Sequence, residues 1–316
     1  MNLTQNIKQK ALELGFDAAG ITDAGPLDEK QFRIFSNWLS CGFAGQMDYM
    51  HKNLDKRTNP ARLLEGAQSV ICVGLNYRTV KQAAPNEDVP TGRAANYAQY
   101  EDYHIFIKKL LGRLVEFISA IFSKPFKYKI CVDSAPVAEK ALAAKAGLGF
   151  IGKNHILISP QFGPQILLGE IIIDFKLQPD APVTNSCSGC NKCISACPTG
   201  ALRADGQFDA NKCISYLTTE YKGQVPAELA KKIGDRLFGC DECVLACPWH
   251  EKSPVCKNKK FGFYPGRAKL DLNKILSLDE KSFRAEFAGS VFERPGLEVL
   301  KRNARICLAN SRNTAL

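Results

Sequence analysis

Hydrophobic residues in the first 180 positions follow two different periods. Residues 3–14 and 103–122 place apolar side chains three and four positions apart, which predicts two amphipathic helices. A continuous apolar run at residues 69–75 predicts a buried strand, and residues 127–132, 155–159 and 166–174 predict three more strands. This mixture of helices and strands predicts a fold of the α+β class.

Polar and turn-forming residues mark where these elements end. The segment from Gln82 to Gly92 is polar and contains proline, which predicts a loop. Asp133 and Ser134 follow the strand at residues 127–132 and offer an N-cap, and Pro136 suits the first turn of a helix. We therefore predict a helix from this point to Gly147.

A change in composition near residues 177–186 predicts a domain boundary, because Pro, Asp, Thr, Asn and Ser replace the apolar runs there. We predict a mixed α/β domain at residues 1–178 and a cysteine-rich domain at residues 179–258. A basic helical segment follows at residues 259–316, with helical patterns at 279–287 and 296–308.

The charge of the chain is concentrated near its C-terminal end. The net charge is +10, and residues 251–316 hold 14 Lys or Arg against 7 Asp or Glu. Such a basic segment suits a polyanionic partner such as RNA. A solvated protein surface explains the same composition equally well.

The sequence predicts a cytoplasmic protein. No apolar run approaches the roughly 20 residues that cross a bilayer, and residues 1–16 lack the apolar core and cleavage site of a signal peptide. In a reducing compartment the 13 cysteines are not disulfide pairs. Five of them (Cys41, Cys72, Cys131, Cys256 and Cys307) are isolated and typical of small buried side chains.

Seven of the other eight cysteines form two runs, and Cys213 lies between the runs. The first run is complete: Cys187-x2-Cys190-x2-Cys193-x3-Cys197-Pro198. This spacing is that of bacterial ferredoxins, in which three thiolates hold one 4Fe–4S cluster and the fourth crosses to a neighbouring cluster.

The second run, Cys240-x2-Cys243-x3-Cys247-Pro248, lacks its first cysteine, because Leu237 stands at that position. Cys213 is the one remaining cysteine of the block, so we infer that it replaces the missing ligand. The predicted ligand sets are Cys187, Cys190, Cys193 and Cys247 for one cluster, and Cys197, Cys213, Cys240 and Cys243 for the other. Two structural zinc sites are the alternative, but zinc favours two CxxC pairs or histidine partners.

Several motifs together resemble the epoxyqueuosine reductase family over about residues 1–310. They are Asp55-x-Arg57-x-x-Pro60, Asp102-Tyr103-His104, Val132-Asp133-Ser134-x-Pro136-x-x-Glu139-Lys140, Gly147-Leu148-Gly149-x-x-Gly152-Lys153-Asn154 and the Cys187–Cys247 block. The resemblance implies an enzyme that uses cobalamin and two 4Fe–4S clusters to reduce epoxyqueuosine in tRNA to queuosine, the last step of queuosine synthesis. It also implies a short form without the C-terminal helical-repeat domain of longer members.

The resemblance also implies roles for individual residues. Asp133 is the expected proton donor, and Tyr103 is expected to approach the substrate. Residues expected near the corrin ring or its tail are Arg57, Tyr97, Ala98, Asp133, Asn154, His155, Ser159, Ser215 and Asp241. Since the cobalt-ligating D-x-H-x-x-G pattern is absent, we expect base-off cobalamin without a histidine on cobalt.

The residues are compatible with reductive chemistry. Asp133 ends an apolar strand, where desolvation could raise its pKa enough to retain a proton. Asp133 could instead be a plain helix N-cap, Arg57 a surface ion pair and His104 a structural histidine.

Four functions remain open from the sequence. The leading one is an epoxyqueuosine reductase acting on tRNA as a monomer, supplied by an unidentified low-potential electron donor. The alternatives are an enzyme like the reductive dehalogenases, a non-catalytic electron carrier, and an RNA-binding protein with structural clusters.

Overall fold

The computed structural model describes residues 2–80 and 89–313. Within these ranges no helix is long and apolar enough to cross a membrane. The strands are β1 Ala18–Asp23, β2 Ser69–Asn76, β3 Thr91–Ala94, β4 Tyr128–Cys131, β5 Phe150–Ile151, β6 Leu157–Ile158, β7 Ile166–Ile173, β8 Arg236–Phe238 and β9 Lys269–Asp271.

The helices are α1 Leu3–Leu14, α2 Glu29–Ser40, α3 Leu54–Thr58, α4 Tyr103–Ile121, α5 Glu139–Lys145, α6 Lys192–Ala196, α7 Ile214–Thr219, α8 Ala227–Ile233, α9 Glu242–Leu245, α10 Pro248–Glu251, α11 Leu272–Ser277, α12 Glu280–Phe287 and α13 Leu297–Asn313. Short 3-10 turns lie between them, including Asn96–Gln99 and Val291–Glu293. The predicted α+β class is confirmed.

An antiparallel sheet of four strands organises the N-terminal part, in the order β1-β2-β7-β4. All eight residues of β2 are buried, as its uninterrupted apolar run predicts. Ile71, Val73 and Leu75 face the core formed with α1 and α4, whereas Val70 and Cys72 face the core that contains α5. Strand β4 is an edge of this sheet.

Strand β1 packs tightly under the end of α5. A Cβ atom at Gly20 would overlap the carbonyl oxygen of Ala146, so this position in the strand requires glycine. The sequence AAGITD gives no long apolar run, and for that reason its pattern did not predict a strand.

A second sheet joins distant parts of the chain, in the order β8-β3-β9. Strand β3 pairs in parallel with β8 and antiparallel with β9. One core beneath it contains Ala94, Leu237, Leu272, Phe292 and Leu300. Residues from all three predicted domains thus share this core, and the boundaries 1–178, 179–258 and 259–316 stay a prediction.

Most predicted elements have the expected positions, with three differences. The predicted helix after Asp133 begins only at Glu139, and the predicted strand 155–159 is reduced to Leu157–Ile158. Residues 82–88 of the predicted loop lie outside the described residues, whereas Thr91 and Gly92 belong to β3.

Candidate active site

Asp133 lies just beyond β4 in a backbone conformation that is unusual for its residue type. Its φ of 51° lies in the left-handed region, and its backbone N–H donates to the carboxylate of Glu139. Such a φ is uncommon outside glycine, so the surrounding contacts must hold the residue there. The interpretation of Asp133 as a helix N-cap is wrong, because α5 begins six residues later and its N-cap position is Ala138.

Two cationic side chains meet on one oxygen of the Asp133 carboxylate. His104 Nε2 lies 3.0 Å from Asp133 Oδ2, and Arg294 Nη1 donates to the same oxygen at 2.7 Å. His104 Nδ1 lies 2.6 Å from Oδ1 of Asp102, the residue that caps α4. Carboxylates therefore engage both ring nitrogens of His104 and fix the orientation of the ring.

These contacts determine which group carries the proton. Burial raises the pKa of Asp133, but the hydrogen bond of His104 and the charge of Arg294 outweigh it and lower this pKa to about 2. Burial lowers the pKa of His104, while hydrogen bonds to Asp102 and Asp133 raise it to about 9. The expectation of a raised pKa for Asp133 is wrong: near neutral pH Asp133 is a carboxylate and His104 holds the proton.

Aromatic side chains cover the other side of His104. Tyr103 stacks on His104 with a centroid separation of 4.0 Å, and Tyr97 meets Tyr103 edge-on at 6.2 Å. Tyr97 and the fully buried Ala98 lie on the turn Asn96–Gln99. This aromatic layer excludes water from one side of the His104–Asp133 pair.

Arg57 lies against the loop that carries Asp133. Its Nη1 donates to the carbonyl of Val137 at 3.5 Å and its Nη2 to the carbonyl of Tyr49 at 3.4 Å. Its Nε is buried without a hydrogen-bond partner in the described chain. No carboxylate of residues 2–80 or 89–313 lies within ion-pair distance of Arg57, so the interpretation as a surface ion pair has no support.

The segment around Asn154 contacts the cysteine block. Asn154 Nδ2 donates to the carbonyl of Cys243 at 3.4 Å, and the backbone N–H of Lys153 lies 3.4 Å from Sγ of Cys187. His155 has a φ of 57° and its ring lies 5.7 Å from that of Phe208. The segment therefore contacts both cysteine runs.

Three further candidate residues form no hydrogen bond with Asp133 in the described chain. Ser159 is buried, and its hydroxyl accepts a hydrogen bond from Phe162. Ser215 lies in the first turn of α7, two residues after Cys213. Asp241 accepts a hydrogen bond from the backbone N–H of Asn96 at 2.6 Å, and burial raises its pKa to about 6. Asp241 is thereby joined to the turn that carries Tyr97.

Cysteines of the block shift the pKa values of their neighbours, and these neighbours fall into two groups. Besides burial, thiolate charges at Cys187 and Cys190 raise the pKa of Cys247. Burial and the charges of Cys213, Cys240 and Cys197 raise the pKa of Cys243. Burial and the charges of Cys187 and Cys247 act likewise on Cys193. The neighbours are those of the two predicted ligand sets, and this grouping supports the crossed assignment.

Comparison with known proteins relates this arrangement to a family. A family model described as epoxyqueuosine reductase QueG, DUF1730, matches residues 57–134, which include Arg57, His104 and Asp133. The chain is also 38% identical over 311 residues to the epoxyqueuosine reductase of Vibrio cholerae, covering 98% of this chain and 84% of that relative. The chain belongs to the epoxyqueuosine reductase family.

Other epoxyqueuosine reductases agree in sequence and structure. That of Pseudomonas aeruginosa is 38% identical, with 99% of this chain and 86% of the relative covered. The solved structure from Streptococcus thermophilus has a TM-score of 0.89 at 33% identity and covers 99% of this chain and 83% of that one. A solved family member bound to an epoxyqueuosine-modified tRNA-Tyr stem loop has a TM-score of 0.91 at 30% identity, covering 99% and 82%.

The cysteine block has a match of its own. A family model described as a 4Fe-4S double cluster binding domain matches residues 186–250. The block of this epoxyqueuosine reductase therefore binds two 4Fe–4S clusters rather than zinc.

Sequence reasoning missed two residues of this epoxyqueuosine reductase site. Arg294 has no motif around it, and nothing in the sequence relates it to Asp133. For His104 the sequence predicts only membership of a family motif or a structural role. Its place in Asp102-x-His104, at the start of a helix, nevertheless indicates that a carboxylate lies next to its ring. An aspartate at an N-cap points its carboxylate back at the first helical turn.

Proposed function

We propose that this protein reduces the epoxide of epoxyqueuosine in tRNA to the alkene of queuosine. The reaction removes one oxygen as water and consumes two electrons and two protons. The observation that carries the proposal is the Asp133–His104–Arg294 arrangement, which holds a proton next to a half-buried carboxylate in a chain of this family. The family member solved with a modified tRNA stem loop supports tRNA as the substrate class.

Electrons enter through the two clusters. The proposed ligands are the crossed sets Cys187, Cys190, Cys193, Cys247 and Cys197, Cys213, Cys240, Cys243. Asn154 joins the backbone of Cys243 to the N-terminal part, so the route into the active site begins at that contact. The electron donor must have a low potential, because reductive epoxide opening demands it.

The candidate residues fit cobalamin, a large ligand with amide groups along its edge. Arg57 has a buried Nε that lacks a partner in the described chain, and Asn154, Ser159 and Asp241 offer amide, hydroxyl and carboxylate groups. The other proposed contacts are Tyr97, Ala98, His155 and Ser215. Bound cobalamin would supply a low-potential cobalt centre as the reductant.

Asp133 is the proposed proton donor, recharged by His104. At neutral pH the proton resides on the imidazole, 3.0 Å from Asp133 Oδ2. As negative charge develops on the epoxide oxygen, Asp133 accepts the proton of His104 and passes it to that oxygen. The second proton comes from water. A Bacillus subtilis relative, solved with its catalytic aspartate loop swung out of the active site, supports a catalytic role for this loop.

Tyr103 is the proposed substrate contact, and its ring stacks on that of His104. None of the 13 cysteines forms a disulfide, which suits the reducing cytoplasm that we propose as the location of this monomeric enzyme.

The test is anaerobic reconstitution with iron, sulfide and cobalamin, followed by assay on tRNA that carries epoxyqueuosine. Mass analysis of the released nucleoside should show loss of one oxygen. Asp133→Asn should abolish turnover while iron content stays unchanged. Asp28→Asn is the matched control, because Asp28 is an exposed N-cap and asparagine caps equally well. Turnover of a halogenated aromatic compound without turnover of the tRNA would overturn the proposal.

A further inference from the structure

A groove of about 640 Å³ begins at His104 and runs between α4 and the edge strand β4. Helix α4 contributes Ile105, Lys108 and Lys109 to its wall, and β4 contributes Lys129. The loop after Asp133 closes one side through Pro136. The groove is therefore continuous with the reaction centre, although none of the residues placed near the corrin ring lines it.

The three lysines of the groove form no ion pairs with other described residues. In the described chain, none of Lys108, Lys109 and Lys129 forms an ion pair, whereas Lys8 and Lys145 pair with aspartates at 2.6 and 2.8 Å. Three like charges on one groove repel one another, so a bound anion stabilises the arrangement. The positive charge of the groove is available to a ligand.

The floor of the groove is apolar. Ile105 is 60% exposed, although most apolar residues of α4 are buried, and Ile130 and Val132 line the same groove. A positively charged groove with surface against which bases can pack is the combination that binds single-stranded nucleic acid. Bases would contact the apolar surface here, and phosphates would contact the lysines.

We propose that this groove, defined by Lys108, Lys109, Lys129 and Ile105, binds the RNA strand next to the modified nucleotide. The inference rests on the proposed function and adds the surface that holds the substrate. A strand in the groove would lead directly to Asp133, since Ser134 and Pro136 line its end. An acidic electron-donor protein fits less well, because the groove is lined by residues 104–136 and by none from the cysteine block.

A second groove provides a matched control. It lies between the end of α1 and residues 257–260, has a volume of about 350 Å³ and carries Lys257, Lys259 and Lys260. It therefore has the same number of lysines but lies away from Asp133 in sequence and lining. Replacing either set by alanine removes the same charge from the protein.

The experiment measures binding of an unmodified anticodon stem-loop RNA to the reconstituted enzyme by fluorescence anisotropy at several salt concentrations. Alanine at Lys108, Lys109 and Lys129 should raise Kd by about tenfold or more. The slope of log Kd against log salt should fall by about 2, since each phosphate contact to a single strand contributes about 0.7. Arginine at the same three positions should restore both values.

The outcomes separate the two proposals. If the variant at 257–260 weakens RNA binding as much as the groove variant, or if the groove variant binds like the wild type, the groove is not the RNA site. Iron content and melting temperature verify that each variant is folded. The binding assay needs no turnover, so a wild-type enzyme that binds RNA but leaves the epoxide intact would refute the proposed function alone.

Discussion

Arg294 Nη1 lies 2.7 Å from Oδ2 of Asp133, although 161 residues separate them in the chain. Arg294 also reaches Glu220, with Nη2 3.2 Å from Oε1. It follows the turn Val291–Glu293, whose Phe292 is anchored in the core beneath the second sheet. The basic C-terminal segment therefore contributes a charge directly to the active site, beyond any general attraction for RNA.

Removing this charge should change the protonation of Asp133. We expect Arg294→Ala to raise the pKa of Asp133 by about 1 to 3, because an opposite charge at this distance lowers a carboxyl pKa by that amount. The acid limb of the pH profile of kcat/KM should move to higher pH, whereas activity at neutral pH should change little, because Asp133 remains a carboxylate there. Arg294→Lys keeps the charge and should keep the acid limb of the wild type. Identical acid limbs in Arg294→Ala and the wild type would refute the role of Arg294.

The proton on His104 predicts an alkaline limit to activity. Because the pKa of His104 is raised to about 9, kcat/KM should be constant near neutral pH and fall as the pH rises through about 9. His104→Gln should lower kcat and remove this limb, while the exposed His51→Gln should change neither. An alkaline limb that persists in His104→Gln would assign it to another group.

The same histidine links pH to stability. Because the pKa of His104 is higher in the folded protein than in the unfolded chain, protonated His104 stabilises the fold fully below the unfolded pKa of 6.5. This stabilisation is lost as the pH rises through about 9. Urea denaturation at pH 6 and pH 9 should therefore show a larger decrease for the wild type than for His104→Gln. Equal decreases would show that the His104–Asp133 pair does not form in solution.

The sequence predicted the elements whose pattern is local. Strand β2 has a short continuous apolar run and helix α4 a helical apolar period, and both appear within one residue of their predicted ends. The position of Asp133 depends instead on contacts with Glu139, His104 and Arg294, which lie far from it or outside any local pattern, and its backbone is left-handed. The predicted helix N-cap failed for this reason.

The missing cysteine of the second run has a structural explanation. Leu237 is fully buried in β8, in the core shared with β3 and α13, so a cluster ligand could not replace it without opening that core. Cys213, just before α7, is influenced in its pKa by Cys197 and itself influences the pKa of Cys240. Elimination among the cysteines of the block predicts Cys213 as the replacement ligand, whereas the burial of Leu237 could be seen only in three dimensions.

Loss of the Cys213 thiol should remove one cluster. Reconstituted wild type should hold about eight irons, and Cys213→Ala about four, because only the ligand set of Cys187, Cys190, Cys193 and Cys247 remains complete. Iron analysis and electron paramagnetic resonance of the reduced protein measure this difference. Cys41→Ser, at an exposed position outside the block, should keep all the iron. An unchanged iron content in Cys213→Ala would refute the crossed assignment.

Glu170 is a buried carboxyl group that predicts an unusual pH dependence. It lies on β7 between Cys72 and Cys131 of the neighbouring strands, fully buried, and its oxygens have no hydrogen-bond partner in the described chain. Burial, with the negative charges of Glu139 and Asp133, raises the pKa of Glu170 well above its usual value. Glu170 is therefore neutral over a pH range in which the unfolded chain is already ionised.

Replacing Glu170 by glutamine should stabilise the protein at neutral pH. The wild type loses stability as the pH rises above the unfolded pKa of 4.5, by up to about 1.4 kcal/mol per pH unit, because unfolding releases this proton. Glu170→Gln stays neutral and should match the wild type near pH 4 but exceed it increasingly at higher pH in urea denaturation. Glu65→Gln, at a side chain 94% exposed, is the control and should follow the wild type. Parallel stability curves for Glu170→Gln and the wild type from pH 5 to 8 would mean that Glu170 ionises normally in the folded protein.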